Sequence, residues 1–190
     1  MGRKICYSNS KGENILKFHE LSLKGVFLIE LEKIEDERGF FARTWDKKIF
    51  ENKGLNSNMV QFNISFNKKK GTIRGMHFQR HPYEEVKLVR CTKGKVFEVI
   101  LDIRENSETF HKWTFVELSE EEFQILYVPE GFALGFQTLS DNTELFYQMS
   151  EYYHPESSSG IRWNDPKIGI TWPLECHTIS EKDKSWDLLR

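Results

Sequence analysis

Apolar residues recur along this chain in short runs of period two, and most runs are bounded by turn formers. VFLIEL (26–31), MVQFNISF (59–66), KLVRC (87–91) and KVFEVILDI (95–103) are rich in β-branched and aromatic residues, which suit a pleated, half-buried surface. Within the last run Phe97, Val99, Leu101 and Ile103 share one face. WTFVEL (113–118), FQILYVP (123–129), FALGFQTL (132–139) and ELFYQMSEYY (144–153) follow at intervals of roughly 8–12 residues, the spacing of a sandwich or barrel. KLVRC and KVFEVILDI are separated only by a glycine-containing turn, so the pattern predicts a hairpin there.

Other segments read differently. EDERG (35–39) forms a turn leading into FFARTW (40–45). Asp46 is placed to cap a short helix over KKIFENK (47–53), and Gly54 to end it. NKKKG (67–71) reads as a solvated turn rather than a binding patch. Residues 1–22 read as a polar arm, and IRWNDPKIGITWPL (161–174) as a covering loop. Helical periodicity is weak elsewhere, strongest in the C-terminal tail. The prediction is one all-β domain over residues 1–190, an antiparallel jelly-roll β-sandwich with a few short helices.

Composition narrows the function classes. At 190 residues the chain is long enough for a sizeable core. Aromatics reach 14% with 15 Phe, which reinforces the sheet prediction. A net charge of -2 gives no reason to expect nucleic acid or an anionic membrane as partner. No apolar run reaches the ~18 residues that would span a bilayer, and the first residues carry no signal-peptide pattern. Cys6, Cys91 and Cys176 are scattered and odd in number, which points to a reduced cytoplasm rather than a disulfide framework or a Cys-x-x-Cys metal site.

Candidate chemistry concentrates in GTIRGMHFQRHPYEEVKLV (71–89), which sets Arg74, His77 and Lys87 on strands that read as adjacent. Ideal alternation puts His77 with Ile73, Gly75 and Gln79, and points Arg74 and Phe78 the other way. Lys87 shares its face with Val89 and Cys91, where an ammonium is costly unless an anion or carboxylate meets it. Such a cluster suits a small anionic molecule with a proton to lose. A basic surface loop, a structural histidine and a core Tyr147 beside Leu145 and Met149 are the plainer alternatives. Arg38, next to Phe40 and Phe41, suits a nucleoside diphosphate.

Seven blocks, DERGFF, VQFN, IRGMHFQ, VKLVRCTKGKVFEVILDIR, YVPEGFALGF, LFYQMSEYY and IRWNDPKIGITWP, occur in the order seen in the dTDP-4-dehydrorhamnose 3,5-epimerase family. The chain resembles that family from about Leu23 to Asp187. The resemblance implies a cupin-type jelly roll that needs no metal and no cofactor. It further implies a homodimer that exchanges strands and acts on a nucleotide-linked 4-keto-6-deoxy sugar, with dTDP as the expected nucleotide. It also implies roles. His77 matches the general base, Asp183 its carboxylate partner, Lys87 the lysine beside the C4 oxygen and Tyr147 the acid on the opposite face of the sugar. Arg38 and Arg74 match residues that hold the diphosphate, Gln61 and Asn63 the strand lining the pocket, and Lys182 a further substrate contact.

Two positions depart from the family pattern. Leu134 stands where the PEGFA-x-GF block usually has histidine, and Arg43 replaces a glutamate commonly found shortly after RGFF. Three other readings are weighed against the double epimerase. One is a single-site epimerase acting at C3 or C5 alone. Another is a nucleotide-sugar-binding protein without catalysis. The third is a metal-dependent cupin oxygenase, which needs ligands on facing strands, where this chain has Phe78 and Gln79 after His77 and Leu134 in the second block.

Overall fold

The computed structural model describes residues 15–189. In chain order the strands are β1 (Leu16–Glu20), β2 (Phe27–Leu31), β3 (Lys33–Asp36) and β4 (Gly39–Ala42). Helix α1 (Lys47–Asn52) precedes β5 (Gln61–Asn67), β6 (Ile73–Gln79), β7 (Lys87–Lys93) and β8 (Lys95–Asp102). After these come β9 (Trp113–Ser119), β10 (Gln124–Val128), β11 (Phe132–Thr138), β12 (Thr143–Met149), β13 (Ser158–Gly160) and helix α2 (Glu181–Ser185). One sheet runs β1-β2-β10-β7-β12-β5 and a second runs β13-β6-β11-β8-β9, while β3 and β4 form a separate ribbon. Every pairing within the sheets is antiparallel.

Three apolar layers hold the sheets. Between them pack Val89, Cys91, Leu126, Val128 and Leu145 from one sheet and Val96, Ile100, Leu134 and Phe136 from the other. On the outer face of the first sheet, Phe50 of α1 covers Leu16, Ile29, Leu88 and Tyr127. Asp46 caps that helix as expected, accepting from the amides of Lys48 and Ile49, and Gly54 takes the left-handed conformation just beyond it. On the outer face of the second sheet, Phe97, Val99 and Leu101 lie under Ile161 and Ile168, with Ile170 and Trp172 packed alongside. The segment expected as a covering loop is thus a lid on the face expected to be apolar.

Three expectations need correction. KLVRC and KVFEVILDI do not form a hairpin: β7 pairs with β10 and β12, whereas β8 pairs with β9 and β11 in the other sheet. The chain crosses between sheets at Gly94, whose φ of 76° favours glycine and whose missing side chain admits Ser140 and Thr143. A short glycine turn permits either outcome. β8 is buried on both faces, so it belongs in mid-sheet beneath the C-terminal lid. A separate crossing, through residues 80–86, likewise puts β6 and β7 in opposite sheets, so they are not neighbours. The arm expected over residues 1–22 is also revised from Leu16 onward, where β1 pairs with β2 and buries Leu16. Residues 1–14 lie outside the described residues.

Candidate active site

Simple alternation fails on β6, and the failure builds the site. Phe136 of β11 pairs with Arg74 and Leu134 with His77, so the single residue Gly135 stands opposite Gly75 and Met76. This bulge puts Arg74 and His77 on one face, although strict alternation sets them on opposite faces. Gly75 has φ of 144°, and an added Cβ would lie 2.5 Å from the Cα of Gly135, so the bulge requires glycine.

Two cavities of about 520 and 350 Å³ share Arg74, His77, Lys87 and Tyr147. His77 and Arg74 come from one sheet, Lys87 and Tyr147 from the other, so base and acid candidates stand on facing walls. The larger cavity is also lined by Ile179, Ser180, Lys182 and Asp183 from the C-terminal segment. That segment is pinned to β6 by the amide of Ile73 donating to the Thr178 carbonyl at 2.8 Å.

His77 Nε2 lies 2.6 Å from Asp183 Oδ1. The other oxygen of Asp183 accepts from the Gly75 amide, and Ser180 caps α2 by accepting from the Asp183 amide. Burial raises the Asp183 carboxyl, but the His77 hydrogen bond and charge, with the Gly75 amide, outweigh it and hold the pKa below the usual value. Lys87 Nζ is 2.7 Å from Glu85 Oε1, with both side chains largely buried. Burial raises the Tyr147 hydroxyl pKa, and nearby Arg74 opposes it, so the phenol keeps its proton.

The remaining candidates divide. Lys182 lines the larger cavity and donates to Ser158 Oγ at 3.3 Å. Gln61 and Asn63 lie on edge strand β5, where Asn63 pairs with Tyr147 and Gln61 with Met149, so both face inward just beyond the cavity walls. Arg38 is not brought to these cavities. It lies at the tip of the β3–β4 ribbon, its side chain 82% exposed and bound to Asp36 at 2.5 Å. Arg43 binds Asp46 at 2.9 Å, next to the cap of α1 rather than in the site. Leu134 lines the smaller cavity.

Residue-by-residue reading overlooked Glu98. Glu98 lines the smaller cavity and is fully enclosed. Alternation in KVFEVILDI offered a signal, since it puts a glutamate among the inward-facing Val96 and Ile100.

The architecture is that of a cupin-type β-sandwich with a candidate site between its sheets, and its curated relatives are isomerase-class enzymes. A profile described as dTDP-4-dehydrorhamnose 3,5-epimerase matches residues 20–190. The dTDP-4-dehydrorhamnose 3,5-epimerase of Methanothermobacter thermautotrophicus is 47% identical over 177 residues, covering 92% of this chain and 95% of that protein. The crystal structure of the Bacillus anthracis dTDP-4-dehydrorhamnose 3,5-epimerase with TDP and PPi bound has a TM-score of 0.88 at 38% identity, covering 92% of this chain and 99% of that one. A Legionella pneumophila dTDP-6-deoxy-D-glucose-3,5-epimerase in complex with dTDP-4-keto-L-rhamnose has a TM-score of 0.85 at 37% identity, covering 91% and 92%. The chain belongs to the dTDP-4-dehydrorhamnose 3,5-epimerase family.

Proposed function

We propose that this enzyme inverts C3 and C5 of a dTDP-linked 4-keto-6-deoxy sugar, in one cupin-type domain, with His77 as base, Lys87 as electrophile and Tyr147 as acid. The observation that carries this reading is the placement of His77 and Tyr147 on facing sheets around shared cavities. A keto group at C4 acidifies the C–H bonds on either side of it. His77 takes the proton through Nδ1, the ring nitrogen that Asp183 leaves unengaged. Asp183 orients the ring and stabilises the imidazolium as it forms. The Lys87 ammonium meets the charge that develops on the C4 oxygen. Tyr147 then returns a proton from the opposite face, which is what inverts the centre. Arg74 and Lys182 bind the diphosphate and adjoining substrate, with Gln61 and Asn63 beside the nucleotide and sugar.

Incubation with dTDP-4-keto-6-deoxy-glucose in deuterated water, followed by NMR, tests this. Deuterium at both C3 and C5 is expected. Label at one carbon reduces the enzyme to a single-site epimerase, and no label overturns the proposal.

The reading includes a homodimer. On β5 the outward-facing Phe62, Ile64 and Phe66 are all exposed, with Ile64 at 65%, and Phe146 lies beside them. Such an apolar edge strand needs a partner in water. Arg38 then serves the partner's cavity, which accounts for its distance from its own. Mixing inactive Asp183→Asn and Arg38→Ala proteins should regenerate activity, because one site of the mixed dimer receives both intact groups. No recovery would refute the exchange. A cytoplasmic setting fits the free thiols of Cys91 and Cys176, and among the described residues no helix is long and apolar enough to cross a membrane.

A further inference from the structure

Among the described residues, Glu98 is the one buried ionisable group at the cavity that the proposed mechanism leaves without a task and without an ion-pair partner on its walls. It lies mid-strand on β8, 1% exposed, between Val116 of β9 and Phe136 of β11. Its Oε2 is fully enclosed, and no described residue gives it a hydrogen bond. Nonetheless it lines the smaller cavity together with Arg74, His77, Lys87, Leu134 and Tyr147. A buried carboxyl with an orphaned oxygen is costly, and such a group calls for an account such as a catalytic role or an ordered water.

The charges around it decide its state. Lys87 and Cys91 face it from β7, Arg74 and His77 from β6, and Tyr147 from β12. The inward residues of β11 and β9, Leu134, Phe136 and Val116, are apolar. Lys87, the cation that acts on it, is already paired with Glu85 at 2.7 Å. Burial therefore dominates, with Lys87 opposing it, and the Glu98 pKa rises to about 8. An ionised Glu98 would place a second carboxylate beside Lys87, where negative charge must develop on the sugar. A neutral carboxylic acid there adds a donor instead, a use that apolar sites make of carboxyl groups elsewhere.

We propose that Glu98 acts as a neutral carboxylic acid and donates a hydrogen bond, alongside Lys87, to the C4 oxygen of the bound 4-keto sugar. The inference rests on the epimerase reading above and adds to it a catalytic group on a fourth strand, β8, beside those on β6, β7 and β12. Leu134 contributes by offering no polar atom that would compete for the carboxyl proton.

The test compares wild type, Glu98→Gln, which keeps a donor and cannot ionise, and Glu98→Leu, which has no donor. Deuterium exchange into the 4-keto sugar is followed across pH, with dTDP affinity and circular dichroism as controls for binding and folding. Glu98→Leu is expected to lose on the order of 100-fold in turnover, the usual cost of one such donor, with dTDP affinity kept. Glu98→Gln is expected to lose less than about tenfold, well within the worth of that donor. The wild type should lose turnover as pH rises through about 8, and Glu98→Gln should lack that limb. In substrate-free protein, the infrared carbonyl band of a protonated carboxyl should be present in wild type, vanish over the same range and be missing from Glu98→Gln. Equal damage in both variants, an undamaged Glu98→Leu, a limb that persists in Glu98→Gln, or absence of the infrared band each overturns the proposal. A wild type that exchanges no proton at all marks a different failure, that of the epimerase reading itself.

Discussion

Replacing Lys87 with methionine should damage stability and catalysis through separate partners, and the two effects can be pulled apart. The Lys87 ammonium is 2.7 Å from Glu85, with side-chain exposures of 15% and 4%. Glu85 Oε2 already lacks a hydrogen bond among the described residues, so Lys87→Met leaves a buried carboxylate with no compensation. Breaking a buried pair from one side costs about 3–5 kcal/mol. Because Lys87 is partly open to the cavity, the lower end, about 3 kcal/mol, is expected here. Glu85→Gln combined with Lys87→Met removes the stranded charge, so it should recover most of that loss. Turnover should fall on the order of 100-fold or more in both variants, since neither supplies a cation to the C4 oxygen. Urea unfolding of the substrate-free proteins measures the first effect, with the slope checked for a constant transition. Deuterium exchange into the 4-keto sugar measures the second. A Lys87→Met protein with the wild-type midpoint and slope would refute the stability argument, and near-wild-type turnover would remove Lys87 from the mechanism.

Asp183→Asn should depress turnover sharply and also alter the acid limb of stability. The Asp183 pKa is held below its ordinary value, so its contribution is present above the unfolded pKa and disappears as pH falls through the folded one. Wild type and variant should therefore converge in stability in acid, and a gap that stays constant down to the lowest pH would contradict this linkage. Gly75→Ala should destabilise by about 1–3 kcal/mol or more, because it meets both an unfavourable φ and the Gly135 backbone; an unchanged melting temperature would show that the bulge tolerates a side chain. Asp46→Ala, which removes the cap of α1, should cost about 1 kcal/mol by urea unfolding, and no cost would mean that solvent replaces the cap. Leu134→His should change KM or the ratio of C3 to C5 exchange, whereas identical values would make that position silent.

Local chemistry was legible wherever it is set by neighbours in the chain. Asp46 followed by an amphipathic turn and Gly54 specifies a capped helix, because the cap satisfies amides two and three residues on. The Phe97, Val99 and Leu101 face is apolar by alternation, and the Trp-containing segment after it supplies a cover. Arg38 illustrates the opposite case. Its motif is readable, but a turn at the tip of a ribbon does not reach its own cavity.

The order of runs and turns by itself determined an all-β sandwich, the short helix near residue 47 and the family-matching set of His77, Lys87, Tyr147 and Asp183. Tertiary structure alone decided which strands share a sheet. Pairing depends on partners far along the chain, so the turn at Gly94 crosses between sheets instead of folding back. Tertiary structure also decided that Arg74 and His77 point the same way, because the extra residue of the bulge is defined only against Gly135 of β11. The Asp183 contact with His77 spans 106 residues of sequence, and the burial of Glu98 requires strands on both sides and a second sheet above it. Period-two alternation tells each side chain which face it takes. What waits on that face is supplied by distant strands, and there the chemistry of the site was settled.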